Sequence, residues 1–472
     1  MDAFAQQRVW QRARRLSLSQ LACLGRHTLS NLLCACGRQF QDWSADYRVF
    51  SKDRWQAQRL FGPVVQGVLD LLPPASAFVT ALDDTHLPKS GKKTPGVAYR
   101  RDPLGPPFQC NFIRAQRFLQ LSAMLPADDD PAGPARAIPI RYEHVPPVAK
   151  PKPSADEEQW KAYRQQRRQQ NLSTAAVEAL TQTRQQLDGK HHAEDRQLIA
   201  CTDGSYTNKT VLKGLPERTT LIGRVRKDAK LFCPPRHEDQ AARGAKRKYG
   251  QPAPSPQALR QDDSTPWQHV TAFAAGKLHR FRLKTIGPVL WKKAGYDHPL
   301  RLVAIAPVRY RLRQGSRLLY RQPAYLICTD ADLPLQQILQ KYLWRWDIEV
   351  NHRDEKQLIG VGEAQVRSPC SVDRQPAFAV ASYSMLLLAG ARAFGLDAPR
   401  TSLPLPKWRS DGQRARISTQ ELIQQLRHEV WGHALEHLVE NYDHFAPSAE
   451  ADTKSAQFSL PLASAVVYAA TG

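Results

Sequence analysis

Two short apolar runs rich in β-branched residues each end on an aspartate followed by turn residues: SAFVTALDDTHLPKSGKK at 76–93 and QLIACTDGSY at 197–206. Each reads as a buried strand that runs into a loop, since a continuous apolar stretch of this length bounded by Gly and Lys or by Asp-Gly suits a strand covered on both faces. Such strands need a sheet with helices packed on it, so the chain must fold around an α/β core. The acids Asp83 or Asp84 and Asp203 then sit where strands leave that core. A chain of 472 residues has room for roughly two to four domains. The formal charge of +23 is spread along the chain, which points to an extended polyanion as partner, nucleic acid above all. Binding of that kind weakens steeply with salt.

Five segments follow from composition. Residues 1–74 alternate helical apolar patterns with basic residues, carry Trp10, Trp43 and Trp55, and begin with Arg8, Arg12, Arg14 and Arg15, which suits a helical DNA-binding module. Residues 75–232 hold both acid-tipped strands, a strand pair within 96–121, helices at about 157–170 and 174–187, and another strand from 219. Residues 233–320 open on a polar, basic, proline-rich stretch and continue with the strand-like HRFRLKTIGPVLW and RLVAIAPVRYRL, a β-rich insertion. Residues 321–365 contribute the strand AYLICTD and a helix starting near Pro334; residues 366–472 are mostly helical, with a buried apolar helix from 376 and an amphipathic one from 419.

That helix near Pro334 contains KYLWRWDIEVNHRDEKQ at 341–357. Laid out at about 100° per residue, Tyr342, Arg345, Glu349 and Lys356 project into one sector about 60° wide, so a lone carboxylate stands among a phenol, a guanidinium and an ammonium. Asp347, Asp354 and Glu355 fall outside that sector, as solvated or structural acids, and Leu343, Trp346 and Ile348 supply an apolar side. Three acids, Asp83 or Asp84, Asp203 and Glu349, thus stand at the ends of strands or on a packed helix, and a pair of divalent ions about 4 Å apart needs carboxylates gathered in that way. The order of elements suits a ribonuclease H-like sheet with a β-rich insertion, flanked by N-terminal and C-terminal helical regions.

The intervals Tyr-(2)-Arg-(3)-Glu-(6)-Lys at Tyr342, Arg345, Glu349 and Lys356, with the loop DDT-x-x-P-K-x-G and the strand CTDGSY, resemble the DDE transposases of insertion sequences, in the insertion sequence 4 and 701-like group. The resemblance covers about residues 75–365. It implies Asp83, Asp203 and Glu349 as catalytic metal ligands, with Asp84 a competitor of Asp83 because a one-residue shift along a strand swaps faces. It implies two Mg²⁺ ions, with Mn²⁺ as substitute, one activating water or a freed 3′-hydroxyl and the other stabilising the leaving oxygen. Tyr342, Arg345 and Lys356 match residues that grip phosphates near the transposon end. Arg353, Lys89, Lys92 and Lys93 are further candidate phosphate contacts, and Trp267 or Trp291 a base-stacking residue, each with an ion-pair, solvated or core role as the competing reading. Arg224, Arg226 and Lys227 either line the DNA path or form a solvated strand edge.

The activity implied is cleavage of element ends and their joining to target DNA, by cut-and-paste transposition, with double-stranded DNA as partner and a homodimer on two ends. A DNA nuclease of the same fold without strand transfer, and a catalytically inactive DNA-binding protein derived from a transposase, are the rival readings. No uninterrupted run of about 18 apolar residues occurs, no secretory signal opens the chain, and the eight cysteines are irregularly spaced, which leads to an expectation of a cytoplasmic protein with reduced thiols and no membrane span. HEVWGH at 428–433 lacks the spacing of a zinc-protease helix, and no Walker-type loop is present.

Overall fold

The computed structural model describes residues 3–438 except 75, 92, 103–104, 107, 128–131, 237–245, 295, 312–314 and 397–415, together with residue 466. The first four helices, α1 (Gln7–Ala22), α2 (Leu29–Ala35), α3 (Ser44–Ser51) and α4 (Gly62–Leu69), lead into strands β1 (Phe78–Pro88), β2 (Ala98–Arg101), β3 (Phe112–Pro126) and β4 (Ala135–His144). Helices α5 (Glu157–Gln169) and α6 (Leu172–Asp188) follow, each begun by a polar cap: the Asp156 side chain accepts from Gln159 N, and that of Asn171 accepts from Ser173 N and Thr174 N. Caps of this kind satisfy amides that the first turn leaves without partners, and Asn171 is why the helical stretch divides in two.

Strand β5 (Leu198–Thr202), helix α7 (Lys209–Lys213), strand β6 (Thr219–Arg224) and helix α8 (Pro256–Gln261) come next, then β7 (Gln268–Ala274), β8 (Lys277–Trp291), β9 (Tyr296–Ile305), the short pair β10 (Arg309–Tyr310) and β11 (Leu319–Tyr320), and β12 (Ala324–Cys328). The chain continues through helices α9 (Leu335–Trp344), α10 (Asp347–Gln357), α11 (Pro369–Phe394) and α12 (Thr419–Leu438). The result is a mixed α/β fold on one large sheet.

Among the described residues the sheet runs β2-β3-β1-β5-β6-β12-β9-β8-β7, with β4 also on the outer edge of β3. β1 is antiparallel to β3 and parallel to β5, and β5 is parallel to β6. β12 is antiparallel to both β6 and β9, so the strands from 268 to 305 continue the central sheet. The two faces bury different sets. Val79, Ala81, Ile199, Cys201 and Ile222 pack with Ile338, Leu339 and Ile348 of α9 and α10. Phe78, Leu82, Leu198, Ala200 and Leu221 pack with residues of α6 and with the cluster that extends into α1–α4 and α11.

The N-terminal helices are tied to the rest. Phe50 meets Phe378 of α11 edge-on at 5.2 Å, Ser17 Oγ donates to Ser382 Oγ at 2.8 Å, and Gln20 Nε2 donates to the Ile359 carbonyl at 2.6 Å. By length and composition α11 could cross a membrane, although the sequence shows no unbroken apolar run of that length; in the fold 72% of its most apolar window is inside the protein, as in a core helix.

The turn leaving α10 is sterically demanding. Gly360 has φ +67°, and a Cβ there would meet the His27 ring at 2.4 Å. Gly360→Ala should therefore destabilise the protein by about 3 kcal/mol, the sum of left-handed backbone strain and overpacking. Urea unfolding checks this; an unchanged midpoint would contradict it.

Candidate metal centre and nucleic-acid cleft

Alternation along β1 separates its two neighbouring acids. Asp83 shares a face with Ala81 and Val79, the face covered by α9 and α10, whereas Asp84 shares the face of Leu82. Asp84 is held there by local partners: Tyr206 Oη donates to it at 2.7 Å and Arg117 Nε lies 3.3 Å away. Burial and the neighbouring Asp84 charge raise the Tyr206 phenol far above its ordinary pKa, so it remains a donor. Leu82 pairs with Thr202 at the end of the parallel β1–β5 register, so Asp83 and Asp203 each follow a residue of that last pair. Asp203 caps its own turn by accepting from Ser205 N at 2.8 Å and Ser205 Oγ at 3.2 Å.

The helical stretch carrying the four-residue signature is not one helix. Between α9 and α10 the amides of Arg345, Trp346, Ile348 and Glu349 bond the carbonyls three residues back, at 3.1–3.2 Å. This tight turn advances more per residue than an α-helix. It turns Trp346 outward, 64% exposed, in place of the buried position expected beside Leu343 and Ile348. Arg345 sits at the joint: Nη1 is 3.8 Å from Asp83 Oδ2 and 4.0 Å from Glu349 Oε1, and its guanidinium lies 5.5 Å from the Tyr342 ring centroid. Lys356 is half-buried on α10, with its pKa lowered chiefly by burial and partly restored by the charges of Glu355 and Glu349.

Ligand atoms of Asp83, Glu349 and His352 lie within 4.8 Å of one another. Asp203 stands outside that group, yet its charge reaches Asp83. Burial pushes the Asp83 carboxyl up to about 7; the Asp84 amide opposes this, the Glu349 and Asp203 charges add to it, and Arg345 opposes it. Carboxylates crowded in this way suit a divalent cation, which would offset both their burial and their mutual repulsion. Tyr342 is also raised, by burial first, against Arg345 and Arg224.

Beside these groups opens a cleft of about 1090 Å³ whose lining includes Asp203, Tyr342 and Arg345. Its walls carry Lys209, Arg224, Arg226, Lys227, Lys230, Arg260 and Lys293 against one further acid, Asp228. Arg224, Arg226 and Lys227, which the sequence leaves between two roles, thus face it. A cleft with this sign of charge suits a phosphate backbone.

The remaining candidates divide. Trp291 lines the cleft. Trp267 is absent from that lining and is covered by cations, with Lys284 Nζ 4.6 Å and Arg282 Cζ 5.3 Å from its ring centroid. Lys89 is engaged inward, Nζ donating to the carbonyls of Gly362 at 2.7 Å and Ala364 at 3.5 Å. Arg353 holds Asp354, at 2.8 Å, and lines a different, smaller pocket with Asp347 and Arg416. Lys93 is exposed, and Lys92 lies outside the described residues.

The three acids set apart from the helix sector are structural. Asp347 binds Arg416 and accepts from Ala137 N, Asp354 accepts from Thr419 Oγ1 at 2.6 Å, and Glu355 is buried. Sequence reading missed His352 and the Tyr206 contact. The first carried a usable signal, since it stands three residues after Glu349 and so on the same helical face. The second depends on the β1–β5 pairing, which no local pattern encodes.

A family model described as DDE superfamily endonuclease matches residues 1–294. No curated protein matches the chain.

Proposed function

From the premise that the chain belongs to the family of DDE superfamily endonucleases, we propose that it is an insertion-sequence transposase of ribonuclease H-like fold, which cuts the ends of its element and joins them to target DNA. The observation that carries this reading is the meeting of Asp83 and Glu349, whose ligand atoms approach within 4.8 Å, beside a basic cleft into which Tyr342 and Arg345 also face. The strand order β4-β3-β1-β5-β6, with β3 alone reversed between its neighbours β4 and β1 and with β5 and β6 parallel to β1, supports the fold.

In this reading Asp83, Asp203 and Glu349 hold two Mg²⁺ ions, with Mn²⁺ as substitute. When bound, they supply Lewis-acid activation of the attacking oxygen and neutralisation of the leaving one. The chain itself positions the DNA. Arg345, fixed between the acids and the Tyr342 ring, directs its guanidinium at a phosphate near the scissile bond, and Lys356 adds a point charge on the next helix. The cations of the cleft wall track the backbone, and Trp291 offers a face on which an unpaired base stacks. Two copies on two ends, in the cytoplasm, complete the proposal.

The test is incubation of the full chain with labelled DNA carrying the ends of its element and with Mg²⁺. Joined products are the expected result. Nicking alone would replace the proposal with a nuclease lacking strand transfer, and binding without cleavage would replace it with an inactive DNA-binding protein.

A further inference from the structure

His352 is 8% exposed, and its Nε2 is buried without a hydrogen-bond partner. Its neighbour Asn351 is also buried, but there the polar atoms are matched: Oδ1 accepts from Ser122 Oγ at 3.0 Å, and Nδ2 lies 3.1 Å from the Ala137 carbonyl and 3.3 Å from Tyr383 Oη. A buried polar atom without a partner is costly, and such atoms are uncommon in cores. One nitrogen of His352 lies within 4.8 Å of carboxylate oxygens of both Asp83 and Glu349. Glu349 and His352, three apart on α10, present their side chains on one helical face, and Asp83 reaches them from β1.

We propose that His352 is a metal-coordinating side chain of this centre, joining Asp83 and Glu349 on one divalent ion and shifting the ion's preference from Mg²⁺ towards Mn²⁺. The proposal rests on the metal reading of the site given above and extends it beyond three carboxylates. Donor atoms around an ion at about 2.0–2.2 Å stand about 3–4 Å apart, so small side-chain adjustments bring the observed set into coordination. Mg²⁺ is a hard ion that keeps to oxygen donors, whereas Mn²⁺, a softer ion that also takes carboxylates, accepts an imidazole nitrogen more readily, so the mixed set shifts the preference towards Mn²⁺. Burial, assisted by the Lys356 charge, lowers the His352 pKa to about 3, which keeps the ring neutral and its lone pair free for a metal.

Pulsed electron paramagnetic resonance of the full chain with one equivalent of Mn²⁺ reads the coordination directly. The wild-type protein is expected to show imidazole nitrogen hyperfine coupling to bound Mn²⁺. In His352→Gln the coupling should vanish, and Mn²⁺ affinity measured by calorimetry should fall by about tenfold or more. Bound Mn²⁺ without nitrogen coupling in the wild-type protein, or coupling that persists in His352→Gln, would overturn the role of His352 while leaving a carboxylate metal centre standing. No Mn²⁺ binding at all would remove the metal reading and this inference together. Should His352→Gln lose its circular dichroism signature of folding, the wild-type spectrum decides the matter alone.

Discussion

Glu349→Gln is expected to lower Mg²⁺-dependent DNA cleavage by about 10³-fold or more, because in the proposed centre Glu349 is a metal ligand, and such a ligand contributes several kcal/mol to the stabilisation of charge in phosphoryl transfer. The replacement keeps the size of the side chain at the start of α10 and removes its charge. Stability should move by no more than about 1 kcal/mol: the Glu349 side chain is 44% exposed, and Arg345, 4.0 Å from it, keeps Asp83 at 3.8 Å. DNA binding should be retained or slightly tightened, since the cations of the cleft are untouched and the site becomes more positive. Cleavage assays and gel-shift titrations on the same preparation separate the two effects. Cleavage retained at the wild-type rate would remove Glu349 from the metal centre.

The second large effect concerns stability and lies six residues further along α10. The Glu355 carboxyl is buried, with Oε1 lacking a partner, and burial pushes its pKa up to about 8 against the opposing Gln120 hydrogen bond and Lys356 charge. The unfolded chain ionises this group near 4.5. Between those two values the unfolded state has released the proton that the folded state retains, so stability falls as pH rises. The slope is about 1.4 kcal/mol per pH unit, and it flattens above pH 8. Below about pH 4 the contribution is fully present. Glu355→Gln removes the titration, so its stability relative to the wild-type protein should rise steadily from pH 5 to pH 8, by a few kcal/mol in total. Denaturant unfolding at several pH values measures this. Parallel profiles for the two proteins would show that Glu355 ionises freely in the fold.

Much of the candidate site was legible because local patterns carry it. The apolar runs before Asp83 and Asp203 became β1 and β5, although β1 continues to Pro88 and so holds Asp83 mid-strand instead of at the expected strand end, and the fixed intervals of 342–356 put Arg345 and Glu349 within 4.0 Å of each other. Neither the choice between Asp83 and Asp84 nor the inward use of Lys89 could be read in this way. Each depends on what a distant segment offers: Tyr206 and Arg117 to Asp84, the carbonyls of Gly362 and Ala364 to Lys89. The outward turn of Trp346 escaped for another reason. A constant angle per residue was applied across a joint where four amides bond three residues back.

By itself, then, the sequence determined that Asp203 follows a buried strand, that a phenol, a guanidinium, a carboxylate and an ammonium recur at helical intervals over 342–356, and that the chain carries a formal charge of +23. These follow from side-chain period, composition and charge, which are local or additive. Only the tertiary structure decided which β1 aspartate faces α10, that β7–β9 extend the central sheet, and that His352 joins the acids. Strand register and helix packing settle such questions, because they bring together residues far apart in the chain and no local period records which face each will meet.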